Sequence, residues 1–522
     1  MNSSIVISKM YHGLLRALVC CIAFGIAAQA TAETSQITAA VDQGAQPVNQ
    51  ASVRTREGLF IVDYQSIQLP SNEEIDLIGY HILSPINDWA YFGLGGYAPF
   101  LKGEYGGFMA FGVLAHAQVN LTNNIFATAG LSFGGGGGGK SVTESVELSG
   151  TGGYARGYVG LGYAFKNLSF GANISHMEFF NSAINNTQIN FFIQKLFTYE
   201  TGAYGRSGNR FNSVPQPESG GFGSMISFGL DNYLQINPVG SYKGAINAVD
   251  IQYSSFMSKN TYWYYALGVG YKGLPIYNQV FVGFGARAAL SERVHLYGQL
   301  GLGSGGYAPT IIDTGSGLLL YPKMSVEYLI NNNLGISLTS GYSFAIDGTA
   351  KNFTLGAALN QHFGKPSSQE GAFNPSLGRY DGYRFSLSHE TVFNLSFDGV
   401  PLDNLNMITV QIDKLISKNI YIPLRAAISY QSYRGYPGYG EVSAGLGLQN
   451  GYITGEPLQF FGEIHLGANV QGAIARSTLG LDYALREGLA LRAAISQTFG
   501  QDGFRSTSIG LGLTSRFSLL NI

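Results

Sequence analysis

Charge and long apolar stretches are both scarce in this sequence. Charged residues make up 12% of the 522 residues, and 30 Lys and Arg against 32 Asp and Glu leave a formal net charge of −2. Such a balance excludes the basic surface that nucleic-acid binding requires. Beyond the N-terminal segment, no stretch reaches the roughly 18 consecutive apolar residues of a membrane-crossing helix. The chain is therefore not a helical membrane protein.

Cysteine is almost absent, since the sequence contains only Cys20 and Cys21. Both lie in an N-terminal segment with a basic start, an apolar core at residues 17–28 and a small-x-small site that ends at Ala32. This order predicts a secretory signal peptide over residues 1–32 that is removed after Ala32. The exported chain would then contain no cysteine, which excludes disulfides, thiolate metal sites and thiol nucleophiles.

Glycine and aromatic residues are abundant, with 72 Gly, 33 Tyr and 33 Phe. In segment 106–133, Met109, Phe111 and Val113 begin an apolar face that alternates with small and polar residues. The alternation resumes after a polar turn at 122–124, which predicts a hairpin. Each run is about ten residues long, the length of a tilted membrane-crossing strand. Short polar turns alternate with longer glycine-rich connections, as in transmembrane β-barrels.

The sequence contains three similar copies of one segment. The stretch "DIQYSSFMSKNTYWYYALGVGY" resembles "TVQIDKLISKNIYIPLRAAISY", and "DLIGYHILSPINDWAYFGLGGY" is an earlier counterpart. Eight strand candidates in each copy predict an all-β, transmembrane, antiparallel up-and-down barrel fold with about 24 strands. The predicted organisation is, in order, a signal peptide (1–32), a short periplasmic segment (33–57), barrel repeat 1 (58–197), a linker (198–223), barrel repeat 2 (224–363), a linker (364–383) and barrel repeat 3 (384–522).

Each repeat closes on an alternating strand that ends in phenylalanine, at Phe197, Phe363 and Phe517. An export signal, alternating strands and this final pattern resemble the outer-membrane β-barrel proteins of Gram-negative bacteria as a class, and no specific family. The resemblance implies an outer-membrane location, contact with outer-membrane lipid, and recognition of the terminal pattern by barrel-insertion and periplasmic chaperone machinery. The chain departs from the pattern by running five residues past Phe517, to Ile522.

Two architectures fit this pattern, three tandem eight-stranded barrels or one wide barrel. Side chains fill the interior of an eight-stranded barrel, whereas barrels of about 22 strands are normally plugged. The polar segment 33–57 is too short for a plug, which favours three barrels. Inward positions support that choice, because they carry near-balanced charges that can pair in the interior. The candidate interior charges are Arg287, Lys323, Glu327, Arg425, Glu463, Asp482 and Arg492, with Asp231 as a further member.

Two motifs suggest chemistry at first sight. The stretch "GGGGGGKS" at 134–141 has the spacing of a phosphate-binding loop, but the polar, β-branched sequence after it does not predict the required helix. We place it in an external loop. Ser175, His176 and Glu178 suggest a hydrolase, but strand neighbours point to opposite faces, so Ser175 and His176 cannot meet directly. The histidines form no ligand cluster, and we expect no catalytic, cofactor or metal site.

Two tryptophans, Trp89 and Trp263, each stand at the periplasmic start of the third strand of a repeat. An indole combines an apolar ring with a polar N–H, so both residues fit an aromatic girdle where the membrane meets water. We therefore interpret them as membrane-boundary aromatics rather than as packing residues of a core.

The sequence favours a non-enzymatic integral outer-membrane protein with a structural or surface-interaction role and an unknown extracellular partner. The alternative is an outer-membrane channel, a porin or an exporter, for small solutes or a polymer. A barrel-embedded lipid-modifying enzyme is a more remote alternative. Neither nucleotide nor nucleic acid is an expected partner. Barrel width separates the first two hypotheses, because a filled interior does not conduct and a wide one does.

Overall fold

A computed structural model describes residues 54–70, 72–138, 150–166, 168–211, 223–275, 277–331, 334–363, 378–450, 457–486 and 488–521. The predicted signal peptide lies outside these residues, as does most of the predicted periplasmic segment. Within them, the chain forms 26 strands and two single-turn 3₁₀ segments, Tyr204–Arg206 and Gln501–Gly503. Neither these turns nor any other described helix has the length and apolar character needed to cross a membrane.

Twenty-four of the strands fall into three consecutive sets of eight. The first set is β1 (Arg54–Gln68), β2 (Glu74–Pro85), β3 (Ala90–Pro99), β4 (Met109–Asn120), β5 (Ile125–Gly137), β6 (Gly153–Phe165), β7 (Leu168–Phe179) and β8 (Asn185–Gly202). The second set is β10 (Ser224–Gln235), β11 (Ile246–Phe256), β12 (Thr261–Lys272), β13 (Asn278–Ala289), β14 (Val294–Gly306), β15 (Leu318–Leu329), β16 (Leu334–Ala345) and β17 (Lys351–Phe363). The third set is β18 (Gly378–Phe397), β20 (Leu405–Leu415), β21 (Ile420–Ser429), β22 (Gly440–Gln449), β23 (Leu458–Asn469), β24 (Gly472–Arg486), β25 (Leu489–Gly500) and β26 (Arg505–Asn521). The other two strands are short, β9 (Arg210–Phe211) and β19 (Val400–Pro401).

The strand pairings of each set return to their starting strand. Consecutive strands of the first set pair antiparallel, and β8 then pairs with β1. The second set forms a closed barrel, with β17 paired to β10. In the third set, β26 pairs in the same way with β18. We call these sets ring 1, ring 2 and ring 3. The prediction of an all-β antiparallel barrel fold is confirmed.

Rings 1 and 3 are also joined to each other by short pairings at their terminal strands. Residues Thr201 and Gly202 of β8 pair with β26, and β9 pairs with the start of β18. The terminal strands are longer than the sequence predicted, since β8 continues to Gly202 and β18 begins at Gly378. Part of each predicted linker is therefore strand, because its backbone groups pair mainly within their own ring, residues 198–201 with β1 and residues 379–383 with β26.

The connections at the two ends of each ring differ in length. At one end most turns have two to four residues, such as those between β4 and β5 and between β6 and β7, and the connection between β22 and β23 has eight. We call this end the turn end. The other end carries most of the long connections, such as residues 307–317 between β14 and β15 and residues 430–439 between β21 and β22, besides shorter ones such as residues 470–471 between β23 and β24. We call this the loop end. The strands β1, β8 and β26 begin or finish at the turn end.

The strands place apolar and polar side chains on the opposite sides from those in a water-soluble protein. Large apolar side chains point outward, as at Leu338 and Ile464, which are 72% and 68% exposed. Polar and charged side chains point inward, as at Glu327 and His465, which are 0% exposed. An outward apolar face that alternates with a polar interior is the pattern of a barrel whose surroundings are lipid.

The glycine run packs ring 1 against ring 3. Residues 134–137 belong to β5, and not to an external loop as the sequence predicted, while residues 139–149 lie outside the described part of the chain. A Cβ atom on Gly135 would lie 2.1 Å from the Ser429 carbonyl oxygen, which is backbone of ring 3. The neighbouring Phe133 and Tyr430 rings are 5.4 Å apart between centroids. The missing side chains therefore allow the two backbones to approach closely.

Ring 2 contacts ring 1 through outward aromatic residues. The Phe60 ring lies 5.7 Å from Trp263 between centroids, and the Tyr80 ring lies 6.0 Å from Tyr265. At the loop end, the Asn278 side-chain amide donates to the Gly107 carbonyl at 2.9 Å. Ring 2 also meets ring 3, because β12 lies beside β23 and β24. Each ring thus contacts the other two.

Candidate functional site

Ring 1 contains a buried ion pair between Arg156 and Asp63. The Arg156 Nη1 atom lies 2.7 Å from Asp63 Oδ2, and the two side chains are 1% and 3% exposed. The same Nη1 atom donates to the Tyr97 hydroxyl at 2.8 Å. The Arg156 Cζ atom lies 4.7 Å from the centre of the Tyr158 ring, and His81 Nε2 lies 3.4 Å from Asp63. The alternation of β1 and β6 places both charges inward, where they neutralise each other.

We expect Arg156→Met to destabilise ring 1 by about 3–5 kcal/mol, because the change leaves the Asp63 carboxylate buried without its guanidinium. Urea unfolding of the chain in lipid vesicles, followed by Trp89 fluorescence, measures the effect. The double variant Asp63→Asn/Arg156→Met is the matched control, and it should recover much of the lost stability since no unpaired charge remains. Equal urea midpoints for Arg156→Met and the parent chain would contradict the prediction.

Ring 2 contains two separate polar clusters. In the first, Lys323 Nζ lies 2.8 Å from Asp231 Oδ2, as expected from the inward positions of these residues. In the second, the Tyr297 hydroxyl donates a hydrogen bond of 2.7 Å to Glu327, and His362 Nε2 lies 2.7 Å from the same carboxylate. Both carboxylates are buried.

Arg287 also lies in ring 2, but its contacts are with Lys259 and Phe256 and not with the inward carboxylate Glu327. Its Nη2 atom donates to the Lys259 carbonyl at 2.7 Å, and its Cζ atom lies 5.0 Å from the centre of the Phe256 ring. Glu327 instead uses tyrosine and histidine partners. Strand alternation predicts the face of a residue and not its depth along the barrel, which explains the difference.

Ring 3 carries the densest charge network. Glu390 accepts from Arg425 Nη2 at 3.1 Å and from Arg476 Nη2 at 2.7 Å, and Arg425 Nη1 reaches Glu441 at 2.7 Å. Arg492 pairs with Asp482 at 2.8 Å and approaches Asp413 at 3.4 Å. The interior of ring 3 balances five guanidiniums against five carboxylates, all at most 9% exposed, namely Arg384, Arg425, Arg476, Arg492, Arg516, Glu390, Asp413, Glu441, Glu463 and Asp482.

Several members of these clusters were missed by sequence reasoning. Asp63 and Arg156 in ring 1 and Arg384, Asp413 and Arg476 in ring 3 are all buried and inward. The alternation along each strand could have shown that these residues point inward, because each lies an even number of residues from another inward polar side chain. The partners of Glu463 include His465 Nε2 at 2.9 Å and the Tyr421 hydroxyl, which donates to it at 2.7 Å.

The interiors of rings 1 and 2 hold little free space. A cavity of about 40 Å³ lies inside ring 2, and one of about 10 Å³ lies inside ring 1. One water needs roughly 10–15 Å³ of such volume, so these spaces take a few waters. Among the described residues, no group of three or more histidines and carboxylates is arranged to hold a metal ion.

Ser175 and His176, which suggested a hydrolase in the sequence, point to opposite sides of their strand. Ser175 is 1% exposed and accepts a hydrogen bond from Asn190 inside ring 1 at 2.6 Å. His176 faces outward, and its Nδ1 atom lies 3.0 Å from the Thr187 hydroxyl. Ser175 and His176 are thus on opposite faces of β7, as the alternation predicted. No exposed nucleophile–base pair results from this motif.

The predicted boundary aromatics and terminal phenylalanines all lie at the turn end. Trp89 is 54% exposed in the turn before β3, whereas Trp263 packs between Phe60 and Tyr253. Trp263 therefore also serves the contact between rings 1 and 2. Phe197 stacks on Tyr199, and Phe517 stacks on Tyr383, while Phe363 is the last residue of β17.

A large cavity lies between the rings. It has a volume of about 1310 Å³, and residues of all three rings line it, among them the interior residues Arg425, Glu441 and Arg516 of ring 3. Its apolar lining includes Phe60, Tyr80, Phe111, Leu267, Val269, Leu387, Ile408, Val410 and Leu513. Sequence reasoning missed this cavity, because alternation marks a residue as outward without showing whether it meets lipid or another ring.

No protein-family model and no curated protein matches this chain. Among solved structures, it is similar to the Pseudomonas aeruginosa ferric enterobactin receptor PfeA, at 9% identity and a TM-score of 0.27, over 90% of this chain and 82% of the receptor. The siderophore receptor PirA of the same organism matches at 10% identity and a TM-score of 0.27, over 90% and 81% of the two chains. A designed transmembrane β-barrel matches 26% of this chain over 94% of its own length, at 11% identity and a TM-score of 0.19. These similarities are too low to indicate a function. The assignment to the transmembrane β-barrel class rests on the chain's own strand pairing and outward apolar faces.

Proposed function

We propose that the chain is a non-enzymatic integral protein of the outer membrane of a Gram-negative bacterium, built as three tandem eight-stranded barrels with a structural or surface-interaction role. The observation that carries the proposal is that paired charges and aromatic side chains fill the interiors of the rings. A barrel of eight strands is just wide enough for such filling. Exported after loss of its signal peptide, the protein needs no cofactor in this role.

The loop end supports the surface-interaction part of the proposal. In outer-membrane barrels the short turns face the periplasm and the long loops face outward. The loop end carries exposed apolar side chains at its tips, with Leu101, Val239 and Tyr436 each at least half exposed. Tyrosine-rich and glycine-rich loops suit contact with an extracellular partner, whose identity is unknown.

The remaining partners follow from the same location. Outer-membrane lipid surrounds the outward faces, and barrel-insertion and periplasmic chaperone machinery would handle the terminal strands. Nucleotide and nucleic acid are not partners in this proposal. The lack of an exposed nucleophile–base pair at Ser175 and His176 supports a non-enzymatic role.

Conductance tests the proposal against the channel alternative. The mature chain is refolded into a planar lipid bilayer, and insertion is checked by heat-modifiable gel mobility. We expect a silent bilayer, because the interior charges are paired and packed. A steady opening on the nanosiemens scale would overturn the filled-barrel proposal and make the interior arginines and carboxylates a pore lining.

A further inference from the structure

The small cavity inside ring 2 has an unequal balance of charge. Two carboxylates, those of Asp231 and Asp250, line it together with one ammonium, that of Lys323, and the other described residues of its lining are uncharged. By contrast, Asp63 faces one guanidinium in ring 1, and five carboxylates face five guanidiniums in ring 3. The cavity in ring 2 therefore needs one more positive charge, because an unpaired carboxylate in a barrel interior is costly.

Asp231 already uses both of its oxygen atoms as acceptors. Its Oδ2 atom lies 2.8 Å from Lys323 Nζ, and its Oδ1 atom accepts a hydrogen bond from the Thr339 hydroxyl at 3.1 Å. The residue is 3% exposed, so these partners take the place of water. Asp231 is therefore the carboxylate that Lys323 neutralises.

Asp250 lies beside Asp231 and faces the same ammonium. The two carboxyl groups are within hydrogen-bonding reach of each other, and the Gln279 side chain also lies against Asp250. The Oδ2 atom of Asp250 is shielded from solvent and has no hydrogen-bond partner among the described residues. Two ionised carboxylates repel each other at this distance, whereas a protonated carboxyl group donates a hydrogen bond to an ionised one.

Among the described residues, the other titratable side chains around the pair are phenols. A tyrosine hydroxyl is uncharged at neutral pH, so none of them supplies the missing charge. The strands β13, β16 and β17 contribute only amide and hydroxyl groups here, such as Gln279, Thr339 and Asn360. The phenols lie on β10, β12, β14 and β15 and in the segment before β13, namely Tyr233, Tyr262, Tyr264, Tyr277, Tyr297 and Tyr321.

The second polar cluster of ring 2 adjoins the same cavity. Tyr297 and Asn360 line the cavity, and both donate to Glu327, at 2.7 and 2.8 Å. His295 and His362 lie on the Glu327 carboxylate, at 3.6 and 2.7 Å. Glu327 thus has partners of its own and does not share in the charge balance of the aspartate pair.

A proton supplies the missing charge more readily than a metal ion does. The cavity has a volume of about 40 Å³, which is room for a few waters. An inorganic cation there would lie beside the ammonium of Lys323 and would lose most of its water shell. Protonating a free aspartate at pH 7 costs only about a thousandfold in equilibrium constant, and neutralisation is the usual outcome for a carboxylate buried without a partner.

We propose that Asp231 and Asp250 form a proton-binding site in the interior of ring 2, in which the two carboxyl groups hold one proton between them. Asp250 donates this proton in a hydrogen bond to Asp231, whose negative charge stays paired with Lys323. In the unfolded chain an aspartate loses its proton near pH 4, so above that pH the folded ring binds one proton more than the unfolded chain. The stability of ring 2 therefore falls as the pH rises.

The test uses the full mature chain refolded in lipid vesicles and the variant Asp250→Asn. An asparagine amide has the shape of a protonated carboxyl group and keeps a donor for Asp231. Infrared difference spectra between the two chains at neutral pH show whether the parent contains the carbonyl band of a protonated carboxyl group. Urea unfolding of ring 2 is then followed through Trp263 over about pH 6–8, with Trp89→Phe in every chain so that Trp263 is the single tryptophan. Glu292→Gln, which removes an exposed carboxylate of ring 2, is the matched control.

We expect the band in the parent chain and in Glu292→Gln, and its loss in Asp250→Asn. The unfolding constant of ring 2 should rise about tenfold more per pH unit in the parent than in Asp250→Asn, because one proton more is released on unfolding. The histidines of ring 2 are present in both chains, so any proton that they take up or release does not enter this difference.

A difference spectrum without the band would refute the inference, and so would equal pH dependence of unfolding in the parent and Asp250→Asn. A parent chain whose stability rises with sodium concentration at constant pH would show that a cation occupies the site instead of a proton. Heat-modifiable gel mobility shows whether Asp250→Asn folds. Its failure to fold would also count against the inference, because the amide reproduces the neutral acid.

Discussion

Glu390→Gln should destabilise ring 3 by about 3–5 kcal/mol while rings 1 and 2 stay folded. Glu390 is buried and bridges two guanidiniums, those of Arg425 and Arg476, at 3.1 and 2.7 Å. Glutamine has nearly the same shape but no charge, so both arginines would lose a counter-charge in a water-poor interior.

The distribution of tryptophan makes this prediction measurable ring by ring. The chain has two tryptophans, Trp89 in ring 1 and Trp263 in ring 2, so their fluorescence reports on those rings during urea unfolding. Proteolysis of vesicle-embedded protein at increasing urea reports on ring 3. Glu292→Gln, in an exposed turn of ring 2, is the control and should leave both readouts unchanged. An unchanged urea midpoint for ring 3 in Glu390→Gln would refute the bridging role.

Gly135→Ala should separate ring 1 from ring 3. The added Cβ atom would lie 2.1 Å from the Ser429 carbonyl oxygen and 2.8 Å from its carbon, and both atoms are backbone. Overpacking usually costs about 1–3 kcal/mol, and a backbone contact cannot relax by a change of rotamer. The hydrogen-bonded ladder of β5 itself is untouched, so ring 1 should remain folded.

Distances between spin labels measure this separation. From residue 33 onward the sequence has no cysteine, so labels at Leu161 and Leu479, both outward and exposed, can be introduced singly. We expect a narrow distance distribution in the parent chain and a broad one in Gly135→Ala. Gly298→Ala is the matched control, because no atom lies within 4 Å of its added Cβ. A narrow distribution in Gly135→Ala would show that the glycine run is not needed for docking.

The class of fold was predictable because its signal is local. Alternation along segment 106–133 showed the outward face that Val119 and Leu131 present in the structure, at 54% and 50% exposed. The inward position of Arg492 and Asp482 was predictable in the same way, since each residue's face follows from its parity in the strand. Their pairing at 2.8 Å required the register between β24 and β25, which no local pattern contains.

The glycine run illustrates a limit of local interpretation. In the sequence, the glycine run at 134–139 was interpreted as part of an external loop, because the external connections of transmembrane barrels are long. In the structure, residues 134–137 form a strand whose backbone pairs with β4. Because Gly135 has no side chain on the outward face, the backbone of ring 3 can lie close against it. The reason for the glycines is therefore a contact with a segment nearly 300 residues away in the chain.

By itself, the sequence determined the alternating strands of an all-β barrel fold and the inward or outward face of many side chains. These properties depend on residues that are close together along the chain. Only the tertiary structure decided which charges meet inside each ring, where the rings touch, and that a cavity of about 1310 Å³ lies between them. Those properties depend on how strands that are far apart in the chain pack against one another. The sequence does not show this packing, because an outward face is equally apolar whether it meets lipid, another ring or a cavity.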